Sequence, residues 1–237
     1  RLQARPGHGA LAAVGVTCLL VVALNRALRG AGWFAARREP DLLQWLDLVA
    51  LGTVCDVVPL TGLNRALVAQ GLKVMARRGN PGLVALADVA NLDSRPGTYH
   101  AGFVFGPRIN AGGRVGEADM GYRLLTSDDP EEVAALARQL DRYNAERKAI
   151  ESTTVEAALA QADDDGPLLM VGGEGWHPGV IGLVASRLGN RFDRPALAIA
   201  WDGALGKGPA RSVPGIDIGA APPAARPAGC LATRGAP

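Results

Sequence analysis

The chain has 237 residues, enough for one or two domains and too many for a single small module. With 48% hydrophobic and 20% charged residues it can form an apolar core, which excludes a wholly disordered protein. A net charge of +2 predicts no partner by itself. Its three cysteines have no paired spacing, which excludes a disulfide framework and a Cys-x-x-Cys zinc site and is typical of a reducing cytoplasm.

The first apolar segment, residues 10–24, follows a basic start without an initiating Met. Its length of about 15 residues falls short of the ~20 that a bilayer-spanning helix needs. A secretory signal with Arg1 and Arg5 as its charged end is the alternative, but Asn25 and basic residues replace a small-residue cleavage site. We therefore expect a buried helix that ends near Gly30, no membrane segment, and a chain that is a fragment of a longer protein.

Three helical patterns follow. Apolar residues at helical spacing after Asp41 predict a helix that ends around Gly52. Pro59 and the Thr-Gly pair after it predict a turn. Helical periodicity then returns over residues 64–78 and, more briefly, over residues 82–91.

A loop-like stretch and a long helix come next. Closely spaced Gly and Pro predict a loop over residues 95–116, before a short helix over residues 119–125. Asp129 then stands at an N-cap position, with Pro as the first helical residue and Glu three residues after the cap. Nothing breaks the helical pattern over residues 130–162, and a helix of about 33 residues is roughly 50 Å long. A helix of that length is expected to join two bodies.

The remaining pattern predicts an α/β domain. After an acidic linker over residues 163–167, a buried-type strand over residues 168–171 precedes a helix over residues 179–188. A second buried-type strand over residues 196–200 completes a βαβ unit. Residues 222–237 contain Ala, Pro, Gly and Arg with little to bury, which predicts disorder.

Asp56 is the first candidate site residue, because it is an acidic residue inside an apolar segment. Burying a carboxylate is costly unless it is paired, hydrogen-bonded or bound to a metal. From this feature alone, a helix cap or ion pair and a metal ligand are equally good interpretations.

The second candidate is the glycine-rich segment over residues 106–114, which contains Arg108, Asn110 and Arg114. Guanidinium groups match phosphate oxygens, and glycine amides let the backbone approach an anion closely. A turn with two solvated arginines is the equally supported alternative.

Two further Gly-rich segments combine small residues with basic or aromatic groups. His177 lies between a predicted strand and a predicted helix, where ligands bind in open α/β sheets, although a structural role is commoner for a single loop histidine. Lys207 and Arg211 lie among small residues, but their spacing is not that of a nucleoside-triphosphate-binding loop. Three Gly-plus-basic segments in one chain indicate a shared anionic ligand.

Five segments together carry a resemblance to a known family. They are LDLVALGTVCDVVPLTGLNRALV, GPRINAGGR, LDRYNAERKAIE, GWHPGVIGLVASRL and GKGPARS. In this order they resemble the RecJ family of single-stranded-DNA-specific exonucleases, part of the DHH phosphoesterase superfamily. The resemblance covers residues 7–220.

The resemblance implies an α/β fold in four parts. Residues 1–80 correspond to the C-terminal part of a DHH phosphoesterase domain. Residues 81–163 correspond to a helical connector that includes the long helix. Residues 164–220 correspond to part of a DHH-associated α/β domain. Residues 221–237 are expected to be a disordered tail, which a frameshift near residue 221 would explain.

The same resemblance implies a 5′–3′ exonuclease that hydrolyses phosphodiester bonds of single-stranded DNA in recombination and repair. It implies a two-metal site with Mn²⁺ or Mg²⁺, and a single-strand-binding protein and a recombination helicase as protein partners. Asp56 matches the family's last metal-binding aspartate, and His177 matches the histidine of an HPG motif and is the catalytic candidate. The residues expected to contact DNA phosphates are Arg108, Asn110, Arg114, Lys207 and Arg211.

The chain departs from the family pattern in three places. The DHH triplet and the other early aspartates are expected upstream of residue 1, so that the fragment alone is expected to be inactive. Pro209 replaces the serine of an SxR pair, and Ala, Pro, Gly and Arg replace a GGHxxAAG motif after Ala220. Two alternatives remain: a non-catalytic remnant that binds single strands, and another DHH-type phosphoesterase that acts on oligonucleotides.

Overall fold

The computed structural model describes residues 9–162, 166–216 and 218. The chain divides into two compact units, with the boundary between Asn144 and Ala145. The described part of the first unit is helical, and that of the second contains a sheet, which confirms the predicted α/β class. The predicted disordered tail and residues 163–165 of the predicted linker lie outside the described residues.

The first unit follows the predicted helical periodicity closely, because most of its helices present apolar residues to one another. A 3₁₀ turn over Leu42–Trp45 leads into the second helix, and a π-helix over His100–Phe105 leads into the fifth. Its α-helices are α1 (Ala13–Gly30), α2 (Leu46–Cys55), α3 (Gly62–Met75), α4 (Pro81–Val89), α5 (Gly106–Val115) and α6 (Met120–Thr126).

The loop predicted over residues 95–116 is wrong, because the π-helix and α5 occupy most of it. Pro107 is the second residue of α5, directly after the π-helix. Phe105, the last residue of the π-helix, and Ala111, in the middle of α5, are buried. Burial of one helical face therefore outweighs the weak helix propensity of the glycines.

The core of the first unit collects side chains from α2, α3, α4, the π-helix, α6 and the start of the next helix, α7 (Pro130–Gln161). Phe105, Leu86, Leu124 and Leu140 are almost completely buried. Each fully buried side chain of this size contributes roughly 1.5–3 kcal/mol relative to the exposed state. Ile109 of α5 packs against this cluster.

The helix predicted to end near Gly30 is α1, but the prediction that it is buried is wrong. Only Gly15 and Asn25 of α1 are buried, while Leu20 is 67% exposed. Among the described helices, α1 alone is long and apolar enough to cross a membrane by length and composition. Apolar composition predicted the helix correctly, but no described element covers most of its surface.

Helix α7 confirms the predicted long helix and the capping role of Asp129, whereas Glu132 does not bond back to the Asp129 N–H, which donates to Ser127. The Asp129 carboxylate accepts the N–H of Glu131 at 2.9 Å, and the Ser127 hydroxyl donates to Glu132 at 2.7 Å. The Ser127 hydrogen bond, and then Arg123, hold the pKa of the Glu132 carboxyl below its usual range. The helix crosses the boundary between the two units.

The second unit contains the predicted βαβ arrangement, with Leu169 paired to Ala196 in parallel strands. Two short strands, which the sequence did not predict, extend it: both pair antiparallel with the second strand. Glu151 of α7 joins the unit's helices, because it accepts from Arg187 at 3.1 Å and from Arg147 at 2.5 Å. The elements are β1 (Leu169–Glu174), α8 (Pro178–Phe192), β2 (Ala196–Asp202), β3 (Leu205–Lys207) and β4 (Ala210–Arg211).

Candidate functional site

Asp56 is exposed at the C-terminal end of α2, so the cost of burying its carboxylate does not arise. The next residue, Val57, is 88% exposed and has φ 56°, a left-handed conformation that is strained for a β-branched side chain. A carboxylate is unfavourable at the negative end of a helix dipole, and a bound cation would relieve that. Within the described residues, the Asp56 side chain has no hydrogen bond or ion pair.

Asp56 by itself does not fit a two-metal site. Two-metal sites need several ligands around ions about 4 Å apart. The residues that the structure describes contain no group of three or more His, Cys, Asp or Glu side chains able to hold a metal ion. The metal centre implied by the resemblance is therefore not complete within the described residues, where Asp56 stands outside any such group.

The end of α2 meets the start of α5 directly beside Asp56. The Cys55 thiol donates to the carbonyl of Ala101 at 3.5 Å, and burial raises the pKa of this thiol, which keeps it neutral. A Cβ at Gly106 would lie 2.6 Å from Cys55 Sγ, so only glycine permits this approach. The contact fixes the segment that contains Asp56 against the helix that contains the candidate arginines.

Arg108 connects α5 to α7. Its Nε donates to Asp141 Oδ1 at 2.8 Å, and its Nη1 donates to the carbonyl of Val104 at 2.9 Å. The Arg108 side chain is 15% exposed and that of Asp141 is 39% exposed. Nη2 has no hydrogen bond among the described residues, so this is the nitrogen that Arg108 can offer to an anion.

Asn110 and Arg114 follow one helical turn apart on α5, so their side chains extend from the same face. Asn110 is exposed and lies at the edge of an apolar cavity of about 380 Å³ between α1, α2, α5 and α6. Arg114 is half-buried in the last turn of α5, where a cation is favourable at the helix C-terminus. The three matched residues of this motif thus lie on a helix and not in a loop.

His177 is the N-cap of α8. Its Nδ1 accepts the N–H of Gly179 at 3.1 Å, so in the neutral ring the proton is on Nε2. His177 therefore has a structural role, which is to cap the N-terminus of α8. The Nε2–H on the other side of the ring remains a donor. Trp176 packs over the backbone of Gly173, where a Cβ would lie 2.3 Å from the indole nitrogen.

Lys207 and Arg211 lie on the two short strands β3 and β4, and both side chains are exposed. Arg211 reaches α8, because its Nε donates to Ser186 Oγ at 2.9 Å. Pro209 replaces a hydroxyl residue in the bend between the strands, and its carbonyl accepts from Ala198 at 3.5 Å. Pro209 therefore lacks the hydroxyl donor of the family's serine, but its backbone carbonyl still pairs with β2.

The structure thus assembles the candidate residues in two separate groups, one in each unit. In the first unit, the α2–α5 contact brings the Asp56 segment to the start of the helix that carries Arg108, Asn110 and Arg114. In the second unit, α8 and β4 meet at Ser186 and Arg211, while Lys207 lies on the strand before β4.

Sequence reasoning missed Asp141 and Ser186 as partners of candidate arginines. Asp141 is 33 residues from Arg108, and Ser186 is 25 residues from Arg211. No local pattern links residues so far apart. A serine inside a helix is itself a weak signal, because it commonly bonds to the carbonyl four residues earlier.

Comparison with known proteins gives a consistent result. The chain is 44% identical over 222 residues to the single-stranded-DNA-specific exonuclease RecJ of Dickeya dadantii and 43% identical to that of Escherichia coli. Each match covers 88% of this chain and 38% of the relative. The chain therefore spans about two fifths of the length of these curated relatives. No family model matches the chain.

The solved structures that match the chain are also RecJ structures. The crystal structure of RecJ with Mg²⁺ from Thermus thermophilus matches with a TM-score of 0.78 and 37% identity, over 90% of this chain and 32% of that one. A crystal structure of exonuclease RecJ bound to manganese matches with a TM-score of 0.73 over 87% of this chain and 50% of that one.

The sequence comparison and the structure comparison both match this chain to RecJ proteins, over 88% and 90% of its length. The protein has the α/β fold of the RecJ structures, with a helical unit and a βαβ unit connected through α7. The chain is similar to a segment of the RecJ proteins, and the order of its motifs predicted this similarity.

Proposed function

We propose that this chain is part of a single-stranded-DNA-specific 5′–3′ exonuclease of the RecJ type. Within that enzyme, we propose that the residues of this chain bind the phosphates of the DNA strand. The observation that carries this proposal is 44% identity to a RecJ protein across 88% of the chain. The substrate class is single-stranded DNA, and the expected location is the cytoplasm. The single-strand-binding protein and recombination helicase named above remain predictions.

The arrangement of cationic groups supports phosphate binding. Arg114, Lys207 and Arg211 present charged donors on a helix and on two strands, which gives them fixed backbones. Contacts from such groups to phosphate oxygens position a strand but carry no sequence information. This is the property that an exonuclease acting on strands of any sequence requires.

His177 serves this proposal as a hydrogen-bond donor. Because Nδ1 accepts the Gly179 N–H, the ring is held with Nε2–H as the outward group. A donor at the N-terminus of α8 favours an anion, and the N-terminal turn of a helix favours it further. We propose that His177 binds a phosphate oxygen and does not remove a proton from the nucleophile.

The metal ions of the RecJ structures would supply charge neutralisation at the scissile phosphate. Asp56 is the residue of this chain proposed to contact one of them, and the remaining ligands must come from outside the described residues. We therefore expect the 237-residue chain to release no nucleotides with Mn²⁺ or Mg²⁺. A non-catalytic role in binding single strands is the second candidate function, favoured by the same incomplete ligand set.

A chimera tests the proposed activity. In the Escherichia coli relative, the segment that matches this chain is replaced by residues 9–216. We expect Mn²⁺-dependent release of nucleotides from the 5′ end of a single strand, and we expect Asp56→Ala to abolish it while the chimera remains folded. A folded chimera that binds single strands but is inactive would support the binding remnant instead.

Salt titration tests strand binding by the 237-residue chain itself. Replacing Arg114 with Ala should reduce the slope of log affinity against log salt by about 0.7, the value for one lost contact to a single strand. The loss should be similar for oligonucleotides of different sequence. Arg138, exposed on α7, provides the matched control, and its replacement by Ala should leave the slope unchanged.

A further inference from the structure

We propose that Ser186 is a positioning residue, which holds the Arg211 guanidinium in the orientation that binds phosphate. The proposal rests on the proposed function, since it concerns how a phosphate contact in the second unit is built. It assigns a role to a residue that does not itself touch the strand.

The direction of the hydrogen bonds follows from the chemistry of a hydroxyl, which has one O–H to donate. Ser186 Oγ lies 3.0 Å from the carbonyl oxygen of Gly182, an acceptor that cannot donate. The single proton is therefore used there, in the bond that helical serines commonly make to the carbonyl four residues earlier. The remaining lone pairs of Ser186 Oγ can only accept.

Arg211 provides the matching donor. Its Nε–H points to Ser186 Oγ at 2.9 Å, and this is the only hydrogen bond of the Arg211 side chain among the described residues. Arginine has five N–H groups in a rigid plane, so the four on Nη1 and Nη2 remain available. No carboxylate within the described residues competes for them. The bond from Nε to Ser186 fixes the plane of the guanidinium, and so it fixes the directions in which Nη1 and Nη2 can donate.

Gly182 lets the guanidinium lie against α8. A Cβ at this position would be 3.3 Å from Arg211 Nη2 and 3.5 Å from the ring of Pro209. Gly182 is four residues after Pro178, which places this contact about 6 Å along the axis from the start of α8. The guanidinium therefore lies beside the second turn of α8.

Arg211 is held at both ends. Its backbone belongs to β4 and pairs with Ala196 of β2, while its side chain is fixed by Ser186. A free arginine side chain loses considerable rotamer freedom on binding, and an arginine ordered in advance loses less. Removal of the Ser186 hydroxyl should therefore weaken phosphate binding without removing any charge.

The first test measures binding of a 5′-phosphorylated oligothymidylate to the 237-residue chain. Ser186→Ala should weaken binding about fivefold, the factor that one hydrogen bond of average net strength contributes. Ser186→Thr, which keeps the hydroxyl, should bind like the original chain. Ser152→Ala, the same change at an exposed position on α7, is the matched control and should have no effect.

A double-mutant cycle separates positioning from general stability. Once Arg211 is replaced by Ala, Ser186→Ala should have no further effect on affinity, because the group it orients is gone. The same should hold for Arg211→Lys, whose ammonium has no Nε–H. A fivefold loss that persists in the Arg211→Ala background would overturn the proposal, since it would show that Ser186 acts through the fold.

NMR observation of the Arg211 Nε–H provides a readout that does not depend on DNA. Its proton should exchange slowly with solvent in the original chain and in Ser186→Thr, and rapidly in Ser186→Ala. Equal exchange in all three would overturn the positioning role. If the exchange differs as expected but the unaltered chain binds no oligonucleotide, the proposed strand binding fails and the positioning role fails with it. If Arg211→Ala weakens binding and Ser186→Ala does not, only the positioning role fails.

Discussion

Replacement of Arg108 tests whether this residue braces the first unit. Arg108→Ala removes a charge-assisted hydrogen bond to Asp141 and a second bond to the Val104 carbonyl. Hydrogen bonds to charged groups contribute about 1.5–3 kcal/mol when they are buried. Asp141 is 39% exposed and regains water, so the lower end of that range applies.

Loss of the second hydrogen bond, to the Val104 carbonyl, should change the free energy of unfolding little. This carbonyl belongs to a helical segment, so Arg108 is an additional donor to it. Loss of packing by the buried stem of Arg108 contributes a further fraction of a kcal/mol. We therefore expect Arg108→Ala to lower the free energy of unfolding by about 2 kcal/mol. At about 2–4 °C per kcal/mol for a chain of this size, Tm falls by roughly 6 °C.

Urea denaturation monitored by circular dichroism measures this loss. Asp141→Asn keeps an acceptor but removes the charge, and we expect it to cost about 1 kcal/mol. In a double-mutant cycle with alanine at both positions, the coupling energy should be about 1.5 kcal/mol. Arg138→Ala on the exposed face of α7 is the control and should stay within about 0.5 kcal/mol. An Arg108→Ala variant as stable as this control would refute the bracing role, and a salt slope reduced by about 0.7 would then assign Arg108 to phosphate binding alone.

Two further predictions concern the first unit. Burial raises the pKa of the Asp47 carboxyl, so the folded state binds more protons than the unfolded state at pH values just above the unfolded pKa. The stability present below the unfolded pKa is lost as pH rises through the folded pKa, so Asp47→Asn should gain stability relative to the original chain between acidic and neutral pH. Urea denaturation at several pH values measures this difference, and a constant difference would contradict it. Leu140→Ala in the core should cost about 2–5 kcal/mol, whereas Leu20→Ala on exposed α1 should cost less than about 0.5 kcal/mol, and equal losses would contradict the described core.

The sequence determined the features that depend on neighbouring residues. Capping at Asp129 and an unbroken helical pattern predicted the long helix α7, and two short apolar runs around a helix predicted the βαβ unit. The order of five motifs carried the RecJ resemblance, because long motifs in a fixed order do not require knowledge of the fold. These features are local, so the chain's own pattern suffices to predict them.

Tertiary structure decided the features that join distant residues. Glycine spacing predicted a loop at α5, but burial of Phe105 and the close approach of Gly106 to Cys55 make it a helix. Apolar composition predicted a buried α1, but burial depends on what packs against a helix and not on its own residues. The partners of Arg108 and Arg211 are 33 and 25 residues away, so the sequence shows that both are arginines near glycines and only the fold shows which donors remain for an anion.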